Sequence, residues 1–430
     1  MKNLYLTLLF LFSATLISYS QEKVKANPQR MEKRILELGE FGKNPQGGVS
    51  RVAFTDADKQ GRDYIIQTMR KVGLIVRIDA AGNIIGSRAG KNNSKPIIAF
   101  GSHIDSVPMG GNYDGDVGVI GALECIDLLN EAGVITEHPL EVIVFTDEEG
   151  GLTGSKAING TLQDRDMEVM SNSGKSIREG IIYLGGDPAK IKEAERKKGA
   201  LKAFLELHIE QGAILHTKKI DIGVVEGIVG IEWWDVTFEG FANHAGTTPM
   251  NARKDALLTA SRFVMKVNEI VRANPGNQVG TVGRIRAEPG APNVIPGKVV
   301  ASLEIRDMSR EKILSIFKQI ELAAKELAEE TSVSISFSSL HSNIPAITDK
   351  RVQDIIASSA KTLGLSSQYM PSGAGHDSQD MAVVAPTGMI FVPSKDGISH
   401  APAEFTSPQD MANGATVLFH TILAIDKAKW

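Results

Sequence analysis

The sequence has 430 residues, which is too long for one ordinary hydrophobic core and suits two or three domains. With 23% charged residues and a formal net charge of −4, it lacks the basic surface that binding to nucleic acid or to an anionic membrane requires. Its one cysteine, Cys125, excludes an intrachain disulfide and a cluster of thiolate metal ligands.

The N-terminus predicts a secretory signal peptide over residues 1–20. Lys2 precedes an apolar run from Leu4 to Ile17, and small and polar residues follow that run. The run is short for a membrane span of about 20 residues, and an uncleaved anchor is the alternative interpretation. Nothing later in the sequence resembles a transmembrane segment. We therefore expect a protein that is exported to the periplasm or secreted, with no membrane span once the signal is cleaved.

Residues 21–222 alternate between helix and strand patterns. Apolar residues at helical spacing predict helices within 28–42 and 56–74, and two short strands with a turn between them follow. The buried strand before "GSHIDS", the helix over 118–134 and the strand "LEVIVF" continue the alternation. Alternation of this kind predicts an α/β domain with a largely parallel or mixed sheet.

From about Asp221 the pattern changes. Strands and helices follow one another in the order β-α-β-β-α-β over residues 223–341, which is the order of a ferredoxin-like unit. The chain then returns to helix, loop and strand patterns over 342–430. We predict a main domain in two parts, residues 21–222 and 342–430, with the ferredoxin-like domain inserted between them.

Three carboxylates in a row follow the strand "LEVIVF", in the stretch "FTDEEGG". Asp147, Glu148 and Glu149 repel one another and raise one another's pKa, so either a bound cation or a solvated turn must make them tolerable. At another strand end, "GSHIDS" places His103 two residues before Asp105, whose carboxylate can accept the ring N–H and fix the imidazole tautomer. His-x-Asp alone is a weak signal, and a solvated loop explains it as well.

Further candidate metal ligands follow other apolar strands. Asp114 lies in the glycine-rich "GGNYDGDVG", His208 in "ELHIEQG" and His400 in "GISHAPAEF". Each residue taken alone is more often structural, and turn chemistry alone explains Asp114. Together with His103 and Glu149 they form an imidazole and carboxylate set that suits Zn²⁺ or Mn²⁺. Five such groups can hold two cations if one carboxylate bridges them.

These motifs resemble those of the peptidase M20 metallohydrolases, in the amidase branch that includes N-carbamoyl-L-amino-acid hydrolases and allantoate amidohydrolases. The resemblance covers nearly the whole mature chain and is carried by "GSHIDSV", "GGNYDG", "FTDEEG", "ELHIEQG", "HAGTTPM", "PNVIPG", "SGAGHDSQDMA" and "GISHAPAEF". It implies a mixed-sheet α/β zinc-hydrolase catalytic domain, in which the inserted ferredoxin-like domain acts as a lid and dimerisation domain. It also implies a homodimer.

The resemblance implies two divalent metal ions in each subunit, Zn²⁺ or Mn²⁺, with Co²⁺ or Ni²⁺ as alternatives. His103 and His208 match the ligands of one metal, and His400 and Glu149 match the ligands of the other. Asp114 matches the carboxylate that bridges the two metals.

The resemblance also implies the catalytic groups. Glu148 matches the general base, which takes a proton from water and delivers it to the leaving nitrogen. Asp105 matches the partner of His103. His244, in "ANHAGTTPM", matches a group that steadies the tetrahedral oxyanion, and in family dimers this histidine reaches the site of the other subunit.

Four further residues match positions at the substrate: Gln211, Asn293, Arg306 and His376. Gln211 matches a substrate contact, and Asn293 and Arg306 match contacts to the substrate carboxylate. Arginine suits that position because its planar fork pairs with both carboxylate oxygens. A surface ion pair is the alternative for Arg306, and His376 either lines the site or only orients its neighbours.

The implied activity is hydrolysis of carbon–nitrogen bonds other than peptide bonds, in a linear amide or ureido compound that carries a carboxylate. N-carbamoyl-L-amino acids and allantoate are substrates of this class, and their hydrolysis releases ammonia. An M20 aminopeptidase or dipeptidase is the alternative, and a non-catalytic secreted binding protein is the third hypothesis. The segment that follows "FTDEEG" is shorter in this chain than in several members of the family that it resembles. The wall of the site beside the two glutamates therefore differs, and the resemblance does not specify the substrate.

Overall fold

The computed structural model describes residues 24–430, and the predicted signal peptide at residues 1–20 lies outside this range. Contacts divide the described chain into two units. The first comprises the chain up to Glu226, with Thr348–Met370 and His376–Trp430, and the second comprises Gly227–Ile347 with Pro371–Gly375. Across residues 24–430, none of the helices combines the length and the apolar composition that crossing a bilayer requires.

The first unit begins with an alternation of helices and strands. Its elements are α1 (Pro28–Gly39), α2 (Asp56–Lys71), β1 (Ile75–Ile78), β2 (Ile84–Arg88), β3 (Ile97–His103), α3 (Asp116–Glu131) and β4 (Leu140–Phe145). Asn27 and Thr55 cap the first two helices, as their side chains accept main-chain N–H groups of the first turns. The two short strands and the helix boundaries are as the sequence predicts, within a few residues.

After β4 the first unit continues through four short helices to a long buried strand. The elements are α4 (Glu148–Gly151), α5 (Thr153–Asn159), α6 (Asp164–Met167), α7 (Ile177–Tyr183), β5 (Leu201–Ile209), α8 (Ile214–Lys218) and β6 (Ile222–Ile228). Within the acidic stretch, Glu148 and Glu149 therefore begin a short helix. A helix N-terminus is a favourable place for carboxylates, since its N–H groups point outward with partial positive charge.

The second unit contains a five-stranded antiparallel sheet and two long helices. Its elements are β7 (Gly230–Glu239), β8 (Asn243–His244), α9 (Ala256–Ala273), β9 (Val279–Thr281), β10 (Ile285–Glu288), β11 (Val294–Ile295), β12 (Lys298–Asp307), α10 (Arg310–Thr331) and β13 (Ser334–Asn343). The sheet order is β10-β12-β7-β13, and the short β9 also pairs with β12. This is the strand order of a ferredoxin-like fold, in which the predicted second strand is split between β9 and β10.

The chain then completes the first sheet. The remaining elements are β14 (Ala346–Ile347), α11 (Lys350–Thr362), β15 (Ser367–Ser372), α12 (Asp377–Val384), β16 (Thr387–Val392) and α13 (Pro408–Lys427). The strand order is β1-β2-β4-β3-β5-β16-β6-β14, and β15 pairs with β6. Strands β4, β3, β5 and β16 are parallel to one another, and the outer pairs are antiparallel, so the sheet is mixed as the sequence predicts.

Both faces of the parallel strands are buried, which explains their nearly continuous apolar sequences. Val142 and Val144 of β4 pack in the cluster that includes residues of α1, α3 and α13. Ile143 and Phe145 point to the other face, where they pack with residues of α5 and α12. The four parallel strands end at one edge of the sheet, which is where ligand-binding groups collect in such folds.

Candidate metal centre

Five predicted ligands meet at the carboxyl edge of the parallel strands. His103 is the last residue of β3, and His208 lies near the end of β5. Glu149 follows β4 in α4, and Asp114 precedes α3. His400 lies in the loop after β16, in the left-handed backbone conformation with φ 55°.

Asp114 stands between two groups of ligand atoms. Its Oδ1 lies 3.1 Å from His208 Nε2 and 3.7 Å from His103 Nε2, whereas its Oδ2 lies 3.2 Å from His400 Nε2. Glu149 Oε1 is 3.5 Å from the same His400 nitrogen. The two carboxylate oxygens of Asp114 therefore face different pairs of donors, which is the arrangement that a bridging carboxylate requires.

The tautomers of two histidines are fixed by main-chain oxygens. The Nδ1 atom of His103 lies 3.0 Å from the Asp105 carbonyl oxygen, and that of His208 lies 2.9 Å from the Ile209 carbonyl oxygen. Because a carbonyl oxygen only accepts hydrogen bonds, each Nδ1 carries the proton and each Nε2 turns its lone pair to the centre. The main-chain N–H of Gly115 donates to His208 Nε2 at 3.3 Å, in agreement with that tautomer.

The sequence predicts that the carboxylate of Asp105 accepts the His103 ring proton. The structure does not show this hydrogen bond, because Asp105 Oδ1 lies 3.8 Å from His103 Nδ1. The carboxylate instead accepts the main-chain N–H groups of Glu148 at 3.2 Å and of Glu149 at 3.1 Å. Asp105 thus supplies two acceptors to the first turn of α4. It fixes the backbone of the predicted base and of a predicted ligand together.

Gly115 allows the close approach of two ligands. Its φ is 67°, and a Cβ atom there would lie 2.5 Å from Cε1 of the His103 ring. A larger residue would therefore strain the backbone and displace the imidazole. This explains why a glycine stands directly after Asp114, at the start of α3.

Burial strongly perturbs the acids of the centre. Burial and the neighbouring charge of Asp114 raise the pKa of Glu149 to about 8. Burial and the charge of Glu149 raise the pKa of Glu148 well above its usual range. Burial also opposes ionisation of Asp114, but the imidazoles of His208 and His400, which flank its two oxygens, outweigh that effect and hold its pKa well below the usual range.

The residues present fit a pair of divalent cations. Three imidazole and two carboxylate groups converge, and they form two sets of three donors that share Asp114. Within residues 24–430, the buried Oε1 of Glu149 has no hydrogen-bond donor. A cation at the set of Asp114, Glu149 and His400 would ligate that oxygen. Cations at both sets would offset the repulsion among the buried acids, and Zn²⁺ or Mn²⁺ suits such a mixture of donors.

Asp147, the first of the three consecutive carboxylates, is buried at the start of α4. Its backbone is left-handed with φ 56°, and its Oδ2 accepts the hydroxyl of Thr153 at 2.6 Å. Burial and the charge of Asp105 raise its pKa to about 8. Asp147 therefore joins the ends of two short helices, α4 and α5, behind the predicted ligand and base.

Gln211 lies at the centre. Its Nε2 donates to Asp114 Oδ2 at 2.6 Å, and its own N–H donates to Ser394 Oγ at 3.0 Å. The backbone of Gln211 has the left-handed conformation, with φ 58°. A non-glycine residue adopts this conformation only where its surroundings hold it there. The structure thus brings the predicted substrate contact Gln211 to the same point as the predicted bridging ligand.

His376 is buried against His208. The two rings meet edge to face, with centroids 4.4 Å apart, and burial lowers the pKa of His376 well below its usual range. Beside them, Glu206 accepts the Ser102 hydroxyl at 2.8 Å and both the hydroxyl and the N–H of Ser378, at 2.7 and 3.0 Å. The ring contact places His376 directly against a predicted ligand, and both of its roles, lining the site or orienting its neighbours, stay predictions.

The other three predicted residues lie in the second unit. His244 of β8 is exposed and pairs with Val294 of β11, and the Asn293 carbonyl oxygen accepts the N–H of Ala245 at 3.0 Å. The structure therefore brings His244 and Asn293 together.

Arg306, in contrast, pairs with a carboxylate of its own strand. It donates to both oxygens of Glu304, at 2.6 and 3.2 Å, and to the Gly373 carbonyl oxygen at 2.7 Å. This is an ion pair of the kind that the sequence left open as the alternative, and a substrate contact by Arg306 stays a prediction.

Sequence reasoning missed Glu404. This residue is buried, and its two oxygens accept hydrogen bonds from Tyr113, Asp114, Ser399 and His400. Its only signal in the sequence was its place in the motif "GISHAPAEF", four residues after His400.

Comparison with known proteins agrees with this geometry. The profile of peptidase family M20/M25/M40 matches residues 99–424. The chain belongs to the M20 family. Its M20 relatives include an N-carbamoyl-L-amino acid amidohydrolase of Geobacillus stearothermophilus, which is 41% identical over 92% of this chain and 97% of the relative. A ureidoglycolate hydrolase of Arabidopsis thaliana is 38% identical over 91% of this chain and 85% of the relative.

A solved amidase structure is similar over nearly the whole length. The crystal structure of an amidase of the hydantoinase/carbamoylase family from Burkholderia multivorans superposes with a TM-score of 0.88 and 35% identity. The match covers 95% of this chain and 100% of the other. Within the M20 family the chain therefore groups with proteins named amidohydrolases and amidases.

Proposed function

We propose that this protein is a metal-dependent amidohydrolase that cleaves a linear amide or ureido carbon–nitrogen bond in a carboxylate-bearing substrate and releases ammonia. The observation that carries the proposal is the position of Asp114, whose two oxygens face separate pairs of ligand atoms. This arrangement suits hydrolysis at a two-metal centre, and the names of the relatives favour ureido and carbamoyl substrates over peptides.

In the proposed centre, His103, His208 and Asp114 would hold one cation, and Asp114, Glu149 and His400 would hold another. When bound, such cations supply Lewis acidity and lower the pKa of water. Zn²⁺ and Mn²⁺ are the candidates, with Co²⁺ and Ni²⁺ as alternatives, because the same donors accept all four and availability decides among them.

Glu148 is proposed to move the proton. Its Oε2 lies 3.7 Å from His103 Nε2, so the carboxylate borders the ligands without belonging to either set of three. Glu148 takes a proton from the attacking water and delivers it to the leaving nitrogen. Asp105 holds the Glu148 backbone in the position that this transfer needs.

Gln211 is proposed as a substrate contact in the first unit. In the second unit, His244 is proposed to steady the oxyanion, and Asn293 and Arg306 to bind the substrate carboxylate. For Arg306 this requires the substrate to replace Glu304 as the partner of the guanidinium group. The segment after Gly151 is shorter than in several members of the family, so the proposal does not specify the side chain of the substrate.

Export and dimerisation are further proposals. The charged, apolar and small-residue sequence of residues 1–20 supports cleavage of a signal peptide and a periplasmic or secreted protein. N-terminal sequencing of protein from the expressed full chain tests this, since a start near residue 21 is expected. Light scattering of the purified protein tests the homodimer.

The test of the proposed activity is an ammonia-release screen. Protein reconstituted with Zn²⁺ or Mn²⁺ is assayed with N-carbamoyl-L-amino acids, allantoate, ureidoglycolate and β-ureidopropionate, beside a panel of dipeptides. Release of ammonia from a ureido or carbamoyl substrate, abolished by a chelator and restored by metal, is expected.

The other outcomes oppose the proposal. Cleavage of dipeptides alone would favour the aminopeptidase or dipeptidase alternative. Absence of bound metal after reconstitution would contradict the two-metal centre and favour a binding protein. Metal content by elemental analysis is therefore measured on the same preparation.

A further inference from the structure

The two loops that carry Asp114 and His400 meet at one buried carboxylate. Oε1 of Glu404 accepts the main-chain N–H groups of Tyr113, at 2.9 Å, and Asp114, at 3.0 Å. Its Oε2 accepts the Ser399 hydroxyl at 2.9 Å and the His400 N–H at 3.2 Å. An ionised carboxylate accepts about four hydrogen bonds, so the capacity of Glu404 is fully used and none remains for a metal.

Asp114 and His400 are held in a different way from His103 and His208. His103 and His208 lie on strands of the central sheet, and their side chains are buried. Asp114 lies in a glycine-rich turn, and His400 lies in a loop in left-handed conformation, with 48% of its side chain exposed. The sheet therefore fixes the first two ligands, whereas contacts between loops must fix the other two.

The packing around Glu404 is close. A Cβ atom on Gly111 would lie 2.2 Å from Glu404 Oε1. The main chain of the turn therefore approaches the carboxylate more closely than a residue with a side chain at position 111 would allow. The rings of Tyr113 and Phe405 also meet edge to face, with centroids 5.4 Å apart. The Ser399 hydroxyl lies 3.2 Å from Asp114 Oδ2 as well, so it links the carboxylate of Glu404 to the carboxylate of the predicted bridging ligand.

We infer that Glu404 is a positioning residue, which sets the distance between Asp114 and His400 and thereby forms the metal site of Asp114, Glu149 and His400. This inference rests on the proposed function. It predicts an unequal effect, because the other site keeps two ligands that the sheet holds. Groups that orient metal ligands typically contribute about 10–100-fold to metal affinity, and we expect a loss of this size at one site only.

The test is Glu404→Gln. The amide keeps the size of the side chain but turns an NH2 group toward two of the four donors, so about half of the hydrogen bonds are replaced by repulsion. Metal-free wild type and variant are titrated with Co²⁺, followed by visible absorption, and their Zn²⁺ content is counted after reconstitution and dialysis. Wild type is expected to retain two metals per chain, and the variant one, with about 10–100-fold weaker binding of the second.

Asp426→Asn is the matched control. Asp426 is also a buried carboxylate that accepts two main-chain N–H groups, those of Glu137 and His138, each at 2.9 Å. It joins α13 to a loop that carries none of the predicted ligands. Its substitution should lower the free energy of unfolding while leaving both Co²⁺ affinities unchanged.

A second variant covers the case in which Glu404→Gln fails to fold. Gly111→Ala keeps the carboxylate but pushes it away, and it should also weaken only one Co²⁺ site. Two Co²⁺ affinities equal to those of wild type in either folded variant would overturn the inference, as would equal weakening of both sites or weakening in Asp426→Asn. A wild type that binds fewer than two metals would instead overturn the two-metal centre of the proposed function.

Discussion

The main-chain N–H of Glu148 donates to Asp105 Oδ1 at 3.2 Å, and the next N–H along the chain donates to Oδ2. One buried carboxylate therefore holds the first turn of α4, which carries both the proposed base and a proposed ligand. The geometry makes Asp105 responsible for the orientation of α4, while the ring of His103 depends on a carbonyl oxygen.

Asp105→Asn should lower kcat by about 10–100-fold, with a smaller change in KM, because the amide accepts one N–H and opposes the other. Steady-state kinetics on the best substrate and elemental analysis measure the effect. Asp349→Asn, at the cap of α11, is the control, since Asp349 also accepts a main-chain N–H, that of Arg351 at 2.9 Å. Equal kinetics for Asp105→Asn and wild type would refute the orienting role.

Glu148→Gln should retain both metals and lose about 10²–10⁴-fold in kcat, because the amide cannot take the proton of water. Metal content and turnover are measured on one preparation. Glu141→Gln is the control, since Glu141 is buried on the preceding strand β4, where it accepts a hydrogen bond from Arg196 at 2.8 Å. Full turnover in Glu148→Gln would remove Glu148 from the mechanism, and lost metal would make it a ligand instead.

The sequence predicts the mixed sheet and the order of its elements because apolar periodicity reports burial on one or two faces. It also predicts which residues gather at the carboxyl edge, because parallel strands bring their ends together. Hydrogen bonds of side chains to the main chain leave no periodic signal. The sequence therefore could not show that Asp105 serves α4 or that Glu404 joins two loops about 290 residues apart.

The sequence also could not show that Arg306 pairs with Glu304. The two residues are two positions apart on β12, so they point to the same face of the sheet, and this spacing is visible in the sequence. Whether the guanidinium prefers that carboxylate or a substrate depends on desolvation and on competing partners. A residue pattern carries neither quantity.

Asp380 should make stability depend on pH. Burial raises its pKa to about 6, although Ser155 and Asn159 donate to its oxygens. The folded state therefore keeps a proton that the unfolded state releases near pH 4. This contribution is fully present below pH 4 and is lost as pH rises through about 6, for a total of roughly 3 kcal/mol. Asp380→Asn cannot lose a proton and should become more stable relative to wild type over this range.

Urea denaturation of wild type and Asp380→Asn at pH 4, 5, 6 and 7 measures this difference. The advantage of the variant should grow between pH 4 and 6 and then stay constant. A difference in the free energy of unfolding that does not change with pH would contradict the raised pKa.

The ring of His244 should exist as one tautomer. Its Nδ1 accepts the main-chain N–H groups of Gly246, at 3.0 Å, and Thr247, at 3.2 Å, so the proton of the neutral ring must lie on Nε2. Arg253 holds this turn, since it donates to the carbonyl oxygens of Ala245 at 2.6 Å and of Thr248 at 3.0 and 3.1 Å. The exposed Nε2–H is the donor that oxyanion stabilisation requires.

Nitrogen-15 NMR of histidine-labelled protein measures the tautomer directly. The Nδ1 of His244 should show the shift of an unprotonated ring nitrogen in wild type, assigned by its loss in His244→Ala. Arg253→Ala should release the turn, mix the two tautomers and lower kcat without loss of metal. Arg262→Ala removes a surface ion pair with Glu330 in the same unit and should change neither quantity. A single tautomer that persists in Arg253→Ala would show that the two main-chain N–H groups fix the ring without the arginine.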